Sequence, residues 1–237
     1  MTRRAPFGNR LALWLSVGWL LLSMGCDKPL PVNTKVTLES VQVGEVVKLP
    51  PPDSHGSLSL EEALSRRRSH RAFTREPLTA KMLSQLLWAA SGVTDREGYR
   101  TAPSAGALYP LEIYLATASG LYHYEPRRHR LMMRADGDLR RDIYRAALDQ
   151  EALLEAPAVL VVAAVYARTA TKYGRTRAVR YVHLEAGHAA QNVLLQAVSL
   201  DLGAVPIGAF HDERLQRVLD LPPDHEPIYL IPVGHPR

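Results

Sequence analysis

Four groups of residues could carry chemistry. The first is Arg67-Arg68-Ser69-His70-Arg71. Guanidinium groups and a hydroxyl in close succession offer several donors in fixed directions, as a phosphate requires. The same residues also fit a solvated basic helix end, where cations complement the dipole. The second is the stretch 102–110, Ala-Pro-Ser-Ala-Gly-Ala-Leu-Tyr-Pro. Its small residues let the backbone approach a flat ligand, and Ser104 can donate or accept a hydrogen bond. A tight turn leading into a strand is the competing reading. The third is Lys172-Tyr173, read as part of a loop over 172–175. Lysine and tyrosine are two proton-transfer groups with high reference pKa values, adjustable by burial or a nearby anion; side by side on a loop they are also ordinary surface residues. The fourth is Glu185, Gly187, His188, Gln191 and Asn192. Small residues on that helical face let a second helix come close, and Asn192 there needs a partner. His183 and His188 fall on different helix faces, and their spacing is not that of the His-Glu-x-x-His zinc motif, so no metal site is expected.

The elements that must position these groups alternate between helical and extended patterns. Residues 35–49 read as one or two short strands, stopped by Pro50-Pro51-Pro52. Ser59-Leu60-Glu61-Glu62 is a capping box that opens a helix to about residue 68. Thr79 caps a second helix, with Met82, Leu83, Leu86, Leu87 and Ala90 on one face and Gly92 ending it. Strands are expected over 111–118, over the hairpin 121–124 and 130–133, over 157–166, 204–207 and 226–233. Helices are expected over 138–154, 179–200 and 212–219. The apolar run 157–166 has the pattern of a strand buried on both faces. Such alternation favours an α+β or α/β sandwich over an all-helical or all-β fold.

Composition narrows the function. The chain has 237 residues, enough for one ordinary domain, with Lys+Arg 29 against Asp+Glu 24 and a single cysteine. One cysteine excludes an intramolecular disulfide framework and any multi-cysteine metal site. Without Arg3, Arg4 and Arg10, 26 basic residues face the 24 acidic ones, a net +2, so no nucleic-acid partner is implied. Those three arginines precede the uncharged run 11–24. That run is shorter than the roughly 20 residues a membrane span needs and suits a secretory leader. Leu22-Ser23-Met24-Gly25-Cys26 resembles a bacterial lipobox, with cleavage before Cys26 and lipid on its sulfur. Serine stands where the usual leucine does, three places before the cysteine. The expected organisation is a signal peptide over 1–25, a tether and approach segment over 26–57, and a folded domain over 58–237. The expected location is the bacterial cell envelope, membrane-anchored through the N-terminal lipid. Arg3-Arg4 also loosely resembles a twin-arginine signal, the route for folded, cofactor-loaded proteins.

Several pieces occur in a specific order: Lys48-Leu49-Pro50, then Arg67 to Phe73, then Pro103-Ser104-Ala105-Gly106-Ala107-Leu108-Tyr109-Pro110. Gly120-Leu121-Tyr122-His123-Tyr124, Lys172-Tyr173, the stretch Glu185 to Asn192, and Gly234-His235-Pro236 follow. In this order they resemble the FMN-dependent nitroreductase-like family. Within it they are most similar to the SagB-type dehydrogenases, which oxidise azolines in thiazole/oxazole-modified peptide biosynthesis. The resemblance implies an α+β fold, a nitroreductase-like α-β-α sandwich, in an interlocked homodimer with FMN at each interface. It implies that Arg67, Ser69 and Arg71, with Arg68 beside them, hold the phosphate and ribityl chain. Pro103, Ser104, Ala105 and Gly106 would line the isoalloxazine, Asn192 would reach its polar edge, and Pro206, Ile207 and Gly208 would border it. Lys172 and Tyr173 would be catalytic, relaying a proton while hydride moves between a small or peptide-derived substrate and flavin N5. The sequence departs from the family at Asp201-Leu202-Gly203, where Gly-Leu-Gly is common. Arg237 is its sole candidate for a basic phosphate ligand near the end. Two other functions stay open: an NAD(P)H-dependent nitro or quinone reductase, and a non-catalytic envelope lipoprotein that uses the fold as a binding module.

Overall fold

The computed structural model describes residue 38 and residues 41–237. The expectations for the leader, for Cys26 and for most of the tether lie outside the described residues. The elements in chain order are β1 (Val46–Lys48), α1 (Leu60–Arg66), α2 (Ala80–Ser91), β2 (Leu111–Thr117), β3 (Gly120–Glu125) and β4 (Arg130–Asp136). There follow α3 (Arg140–Ala146), α4 (Ala152–Glu155), β5 (Ala158–Ala164), α5 (Tyr166–Tyr173), α6 (Arg175–Ser199), β6 (Gly203–Ala204), α7 (Asp212–Val218) and β7 (Glu226–Gly234).

The strands form one sheet in the order β1-β4-β3-β2-β5-β7-β6, with every neighbouring pair antiparallel. β5 lies inside it, and all of its side chains are buried. Because side chains alternate along a strand, β5 feeds two cores at once. Ala158, Leu160, Val162 and Ala164 pack with Leu83, Leu86 and Leu87 of α2 and with Val182, Ala186, Ala189 and Val193 of α6. Val159, Val161 and Ala163 pack with Ile143 of α3, Leu153 of α4 and Leu215 of α7. The result is a helix–sheet–helix sandwich of α+β type. Each fully buried leucine contributes roughly 1.5–3 kcal/mol.

The local signals explain the helix ends. Ser59 caps α1 by accepting from the Glu62 N–H, and Thr79 caps α2 by accepting from the Met82 N–H at 3.2 Å. α2 stops at Gly92, where a Cβ would stand 2.7 Å from the Trp88 carbonyl oxygen.

Three expectations need correction. The helix expected over 138–154 is two short helices, α3 and α4, separated by Leu148 and Asp149 in the left-handed region at φ 57° and 55°. Two such residues break the i to i−4 hydrogen-bond ladder. Lys172 and Tyr173 are not in a loop; they are the last two residues of α5. The strand expected over 204–207 is only the pair Gly203–Ala204, with Ile207 pairing separately with Leu230. Of the one or two short strands expected over 35–49, the described residues hold one, Val46–Lys48, inside that stretch. Asp201 does take the left-handed turn after α6 that glycine commonly supplies, at φ 56°.

Candidate active site

The candidate residues gather in two groups. The first forms where the chain leaves α1. Arg67 closes the helix with extended backbone, and the strand-like stretch that follows is held on two sides. On one side Ser69 bridges to Ala204, and the His70 N–H donates to the Ala204 carbonyl at 3.1 Å. On the other side the Thr74 N–H donates to the His235 carbonyl at 2.9 Å, and the Arg237 N–H to the Ala72 carbonyl at 3.1 Å. Gly203 is needed for this approach, since a Cβ there would stand 2.7 Å from the His70 Cβ. Pro206, Ile207 and Gly208 continue from β6, pinned by paired bonds between Ile207 and Leu230 at 2.8 and 2.9 Å.

Among the described residues, the side chains of Arg67, Ser69 and Arg71 make no hydrogen bond or ion pair. Ser69 and Arg71 are exposed and Arg67 is half-buried. Free donors on a segment with a fixed backbone have the chemistry to receive an anion. Arg68 behaves differently: its guanidinium turns back to donate to the Ser65 and Arg67 carbonyls at 2.9 and 2.8 Å, closing the helix end. Arg237 is likewise engaged, donating to Glu155 at 3.0 Å.

The second group is built on the 102–110 loop. One end is tied at Thr101, whose N–H donates to the Gly92 carbonyl at 2.9 Å and whose hydroxyl donates to the Trp88 carbonyl at 2.9 Å. Asn192 donates its amide to the Thr101 carbonyl at 3.1 Å. The other end is tied at Pro110, whose carbonyl accepts from the Val165 N–H at 2.8 Å. Between these ends Gly106, Ala107 and Tyr109 are all left-handed, at φ 65°, 54° and 48°. Tyr109 donates its N–H to the Ser104 hydroxyl at 2.9 Å, which locks the turn.

Lys172 and Tyr173 meet the loop at Gly106. A Cβ on that glycine would lie 2.9 Å from the Tyr173 Oη and 3.0 Å from the Lys172 Nζ. Thus the two proton-bearing atoms converge on the one loop residue with no side chain. The Tyr173 ring is braced edge-on by Tyr181 of α6, with centroids 4.9 Å apart.

Four further residues complete the setting, and three of them carry no motif signal. Arg100 lies 4.4 Å from the centroid of the Tyr109 ring and donates to Ser91 at 2.9 Å. Arg168 of α5 donates to the Tyr109 carbonyl at 3.1 Å and pairs with Glu112 at 2.5 Å. Glu112 also takes the His123 Nε2 at 2.7 Å. Burial works to raise Glu112, but the His123 hydrogen bond and the Arg168 charge outweigh it and hold the carboxyl below its ordinary range. The fourth is Glu185, buried on α6 against Ser104. Burial pushes it up to about 7, opposed by the Ser104 hydrogen bond and the Arg100 charge. The spacing of α6 had marked Glu185; Arg100, Arg168 and Glu112 become legible only once the loop and α5 are placed together.

The nitroreductase family model matches residues 64–235. A Methanocaldococcus jannaschii protein that bears a nitroreductase name is 43% identical over 198 residues, covering 81% of this chain and 98% of its own. The trifolitoxin operon protein TfxC of Rhizobium leguminosarum bv. trifolii is 24% identical over 194 residues; the match covers 73% of this chain and 54% of that protein. A Ralstonia eutropha crystal structure, also bearing a nitroreductase name, superposes with a TM-score of 0.76 at 34% identity, covering 83% of this chain and 92% of its own.

Proposed function

Because this chain belongs to the nitroreductase family, we propose that it is an FMN-dependent oxidoreductase with the SagB-type use of a lysine–tyrosine pair. The observation that carries the reading is the convergence of the Lys172 Nζ and the Tyr173 Oη on Gly106. The residues present fit FMN. Arg67, Ser69 and Arg71 have donors to spare for a phosphate, and the backbone at Pro103, Ser104, Ala105 and Gly106 is low enough for a flat ring to approach. Pro206, Ile207 and Gly208 stand beside the first group. Asn192 spends one amide hydrogen on the Thr101 carbonyl, which leaves its second amide hydrogen and its carbonyl oxygen for a ligand. When bound, FMN supplies two-electron redox chemistry. The chain supplies orientation and a proton path: Lys172 or Tyr173 takes or returns the proton that accompanies hydride transfer, depending on the direction of the reaction. The proposed substrate class is a small or peptide-derived molecule.

The two groups favour assembly from two copies. Glu185 marks the loop group on α6, and the far end of that helix leads to the arginine group. Asn192 ties the same group to α6 further along, and from there to the helix end is roughly 10 Å at about 1.5 Å per residue, a gap that a second chain would close by pairing one group from each. Leu60 and Leu64 on α1 and Val179 and Leu184 on α6 are exposed and would be covered in such a homodimer.

The test is the flavin spectrum of the purified protein, followed by turnover of Lys172→Ala and Tyr173→Phe. A dehydrogenase of the proposed kind loses at least about 100-fold in turnover with flavin retained, in line with removal of a general acid–base group. Relatives that bear nitroreductase names favour a second reading, an NAD(P)H-dependent nitro or quinone reductase, in which both variants keep near wild-type reduction rates. Protein that takes up no flavin would sink both.

A further inference from the structure

The helix that follows Lys172 and Tyr173 begins with its charges at the unfavourable end. α6 opens Arg175-Thr176-Arg177, with no acidic residue in its first turn and no side-chain cap. Cations at the positive end of a helix dipole cost stability, and natural sequences keep such local conflicts chiefly at functional sites. The excess runs beyond that turn. Between Glu155 and Glu185 the chain has no acidic residue and five basic ones, Arg168, Lys172, Arg175, Arg177 and Arg180. Arg168 is spent on Glu112 and on the Tyr109 carbonyl. The other four are exposed, and among the described residues their side chains make no ion pair or hydrogen bond.

Two of these cations share a face with the surroundings of the proton-transfer pair. Arg177, Arg180, Tyr181 and Leu184 stand at i, i+3, i+4 and i+7, on one side of α6. Tyr181 is the member of that face that meets Tyr173, edge-on with centroids 4.9 Å apart. The Tyr173 Oη and the Lys172 Nζ in turn stand over Gly106. Leu184, further along the same face, is exposed and belongs to the proposed homodimer contact. The arginines then lie at the rim of that contact, where interfaces are polar and open to solvent.

We propose that Arg177 and Arg180 are specificity-determining residues that bind a carboxylate of the substrate, so that the molecule presented to Lys172 and Tyr173 is an acidic peptide or a small carboxylic acid. A guanidinium matches a carboxylate with two parallel N–H donors. The carboxylate is an anion that both proposed substrate classes can carry. Unpaired cations also draw such a substrate from solution, and salt weakens that attraction. That the bound anion is the substrate rests on the reading of Lys172 and Tyr173 above; the carboxylate site itself does not need the flavin.

The experiment uses the full chain with FMN added and two fluorescent peptides, one of glutamate alternating with glycine and one of lysine alternating with glycine. Anisotropy reads binding. Wild type should bind the acidic peptide, less tightly as salt rises, and the lysine peptide at least about tenfold more weakly. Arg177→Ala and Arg180→Ala should each weaken the acidic peptide about two- to fivefold, as loss of an exposed ion pair does. Arg177→Glu combined with Arg180→Glu should reverse the preference. Arg214→Ala removes an exposed cation from α7, which packs on the other face of the sheet, and should change nothing. Saturating acidic peptide should also perturb the flavin absorbance. Succinate in large excess separates the two sources: displacement of the peptide assigns the site to small acids, retention assigns it to peptides, and both support carboxylate recognition. Equal binding of the two peptides overturns the inference. So does an acidic-peptide affinity that the alanine variants leave unchanged, or that Arg214→Ala lowers as much as they do, with flavin retained in each case. A flavin spectrum unmoved at saturation overturns the assignment of the anion as substrate. Selective binding by a protein that takes up no FMN is a different result: it sinks the oxidoreductase reading and leaves the carboxylate site standing.

Discussion

Glu185 costs the protein stability, and the sign follows from its raised value. The folded state holds the Glu185 proton more tightly than the unfolded chain does. Its favourable contribution is therefore complete below the unfolded value of about 4.3 and is lost as pH rises to about 7. Above that, an ionised carboxyl sits in a buried place. Glu185→Gln should thus be more stable than wild type at about pH 8, by on the order of 2–3 kcal/mol, with the gap closing towards about pH 4.5. Urea unfolding at the two pH values measures it; a gap independent of pH would contradict the assignment. At this same scale, little of the site was legible from residue types alone. Taken alone, the arginine segment and the small-residue loop each favoured a plain structural reading, and for Arg68 that plain reading describes its contacts, since its guanidinium is spent on carbonyls of its own helix end. Lys172 and Gly106 are far apart in sequence, and only the family resemblance joined them before the fold brought them into contact.

At the scale of elements, α5 is the arm that brings Lys172 and Tyr173 to the loop, and Arg168 fastens it. Replacing Arg168 by alanine leaves Glu112 buried with only His123 for a partner, at a cost of about 1–3 kcal/mol. Glu112 is held below its ordinary range, so the stability it brings is present above that range and lost as pH falls through it. The gap between wild type and Arg168→Ala should therefore narrow in acid. Urea midpoints at about pH 7 and about pH 4 check this, and a gap that widens in acid would refute the pairing argument. Elements with strong local signals were legible: Ser59, Thr79 and Gly92 mark helix ends because caps and crowding act within a few residues. α5 was not, because Thr169 is its sole buried residue and no apolar stripe records its packing. The break between α3 and α4 was hidden for a related reason. Leu148 and Asp149 are not glycine, and their left-handed backbone is imposed by the surroundings rather than by residue type.

For the whole molecule, the α+β sandwich was within reach of the sequence, since the continuous apolar run of β5 allows only an interior strand covered on both faces. The direction of its neighbours was not, because parallel and antiparallel interior strands share that pattern. Assembly is a separate matter. If two copies complete each site, replacing Leu64 and Leu184 by aspartate should shift the protein from dimer to monomer in sedimentation, and flavin should be lost in the same step. A monomeric wild type that binds flavin fully would dismiss the shared site. The proposed envelope anchor makes its own prediction: Cys26→Ala should abolish incorporation of labelled fatty acid and move the protein out of the membrane fraction, whereas an unlabelled wild type would exclude lipidation.

The double fastening of the 102–110 loop has a practical meaning. Thr101 and Pro110 are held by the framework itself, so the stretch between them closes on fixed posts, and a change in its length costs little entropy. The molecule thus offers an exchangeable cassette. Ala107 and Leu108, which the proposed flavin contacts leave free, are where a swap would suit a different substrate without rebuilding the sheet that carries them.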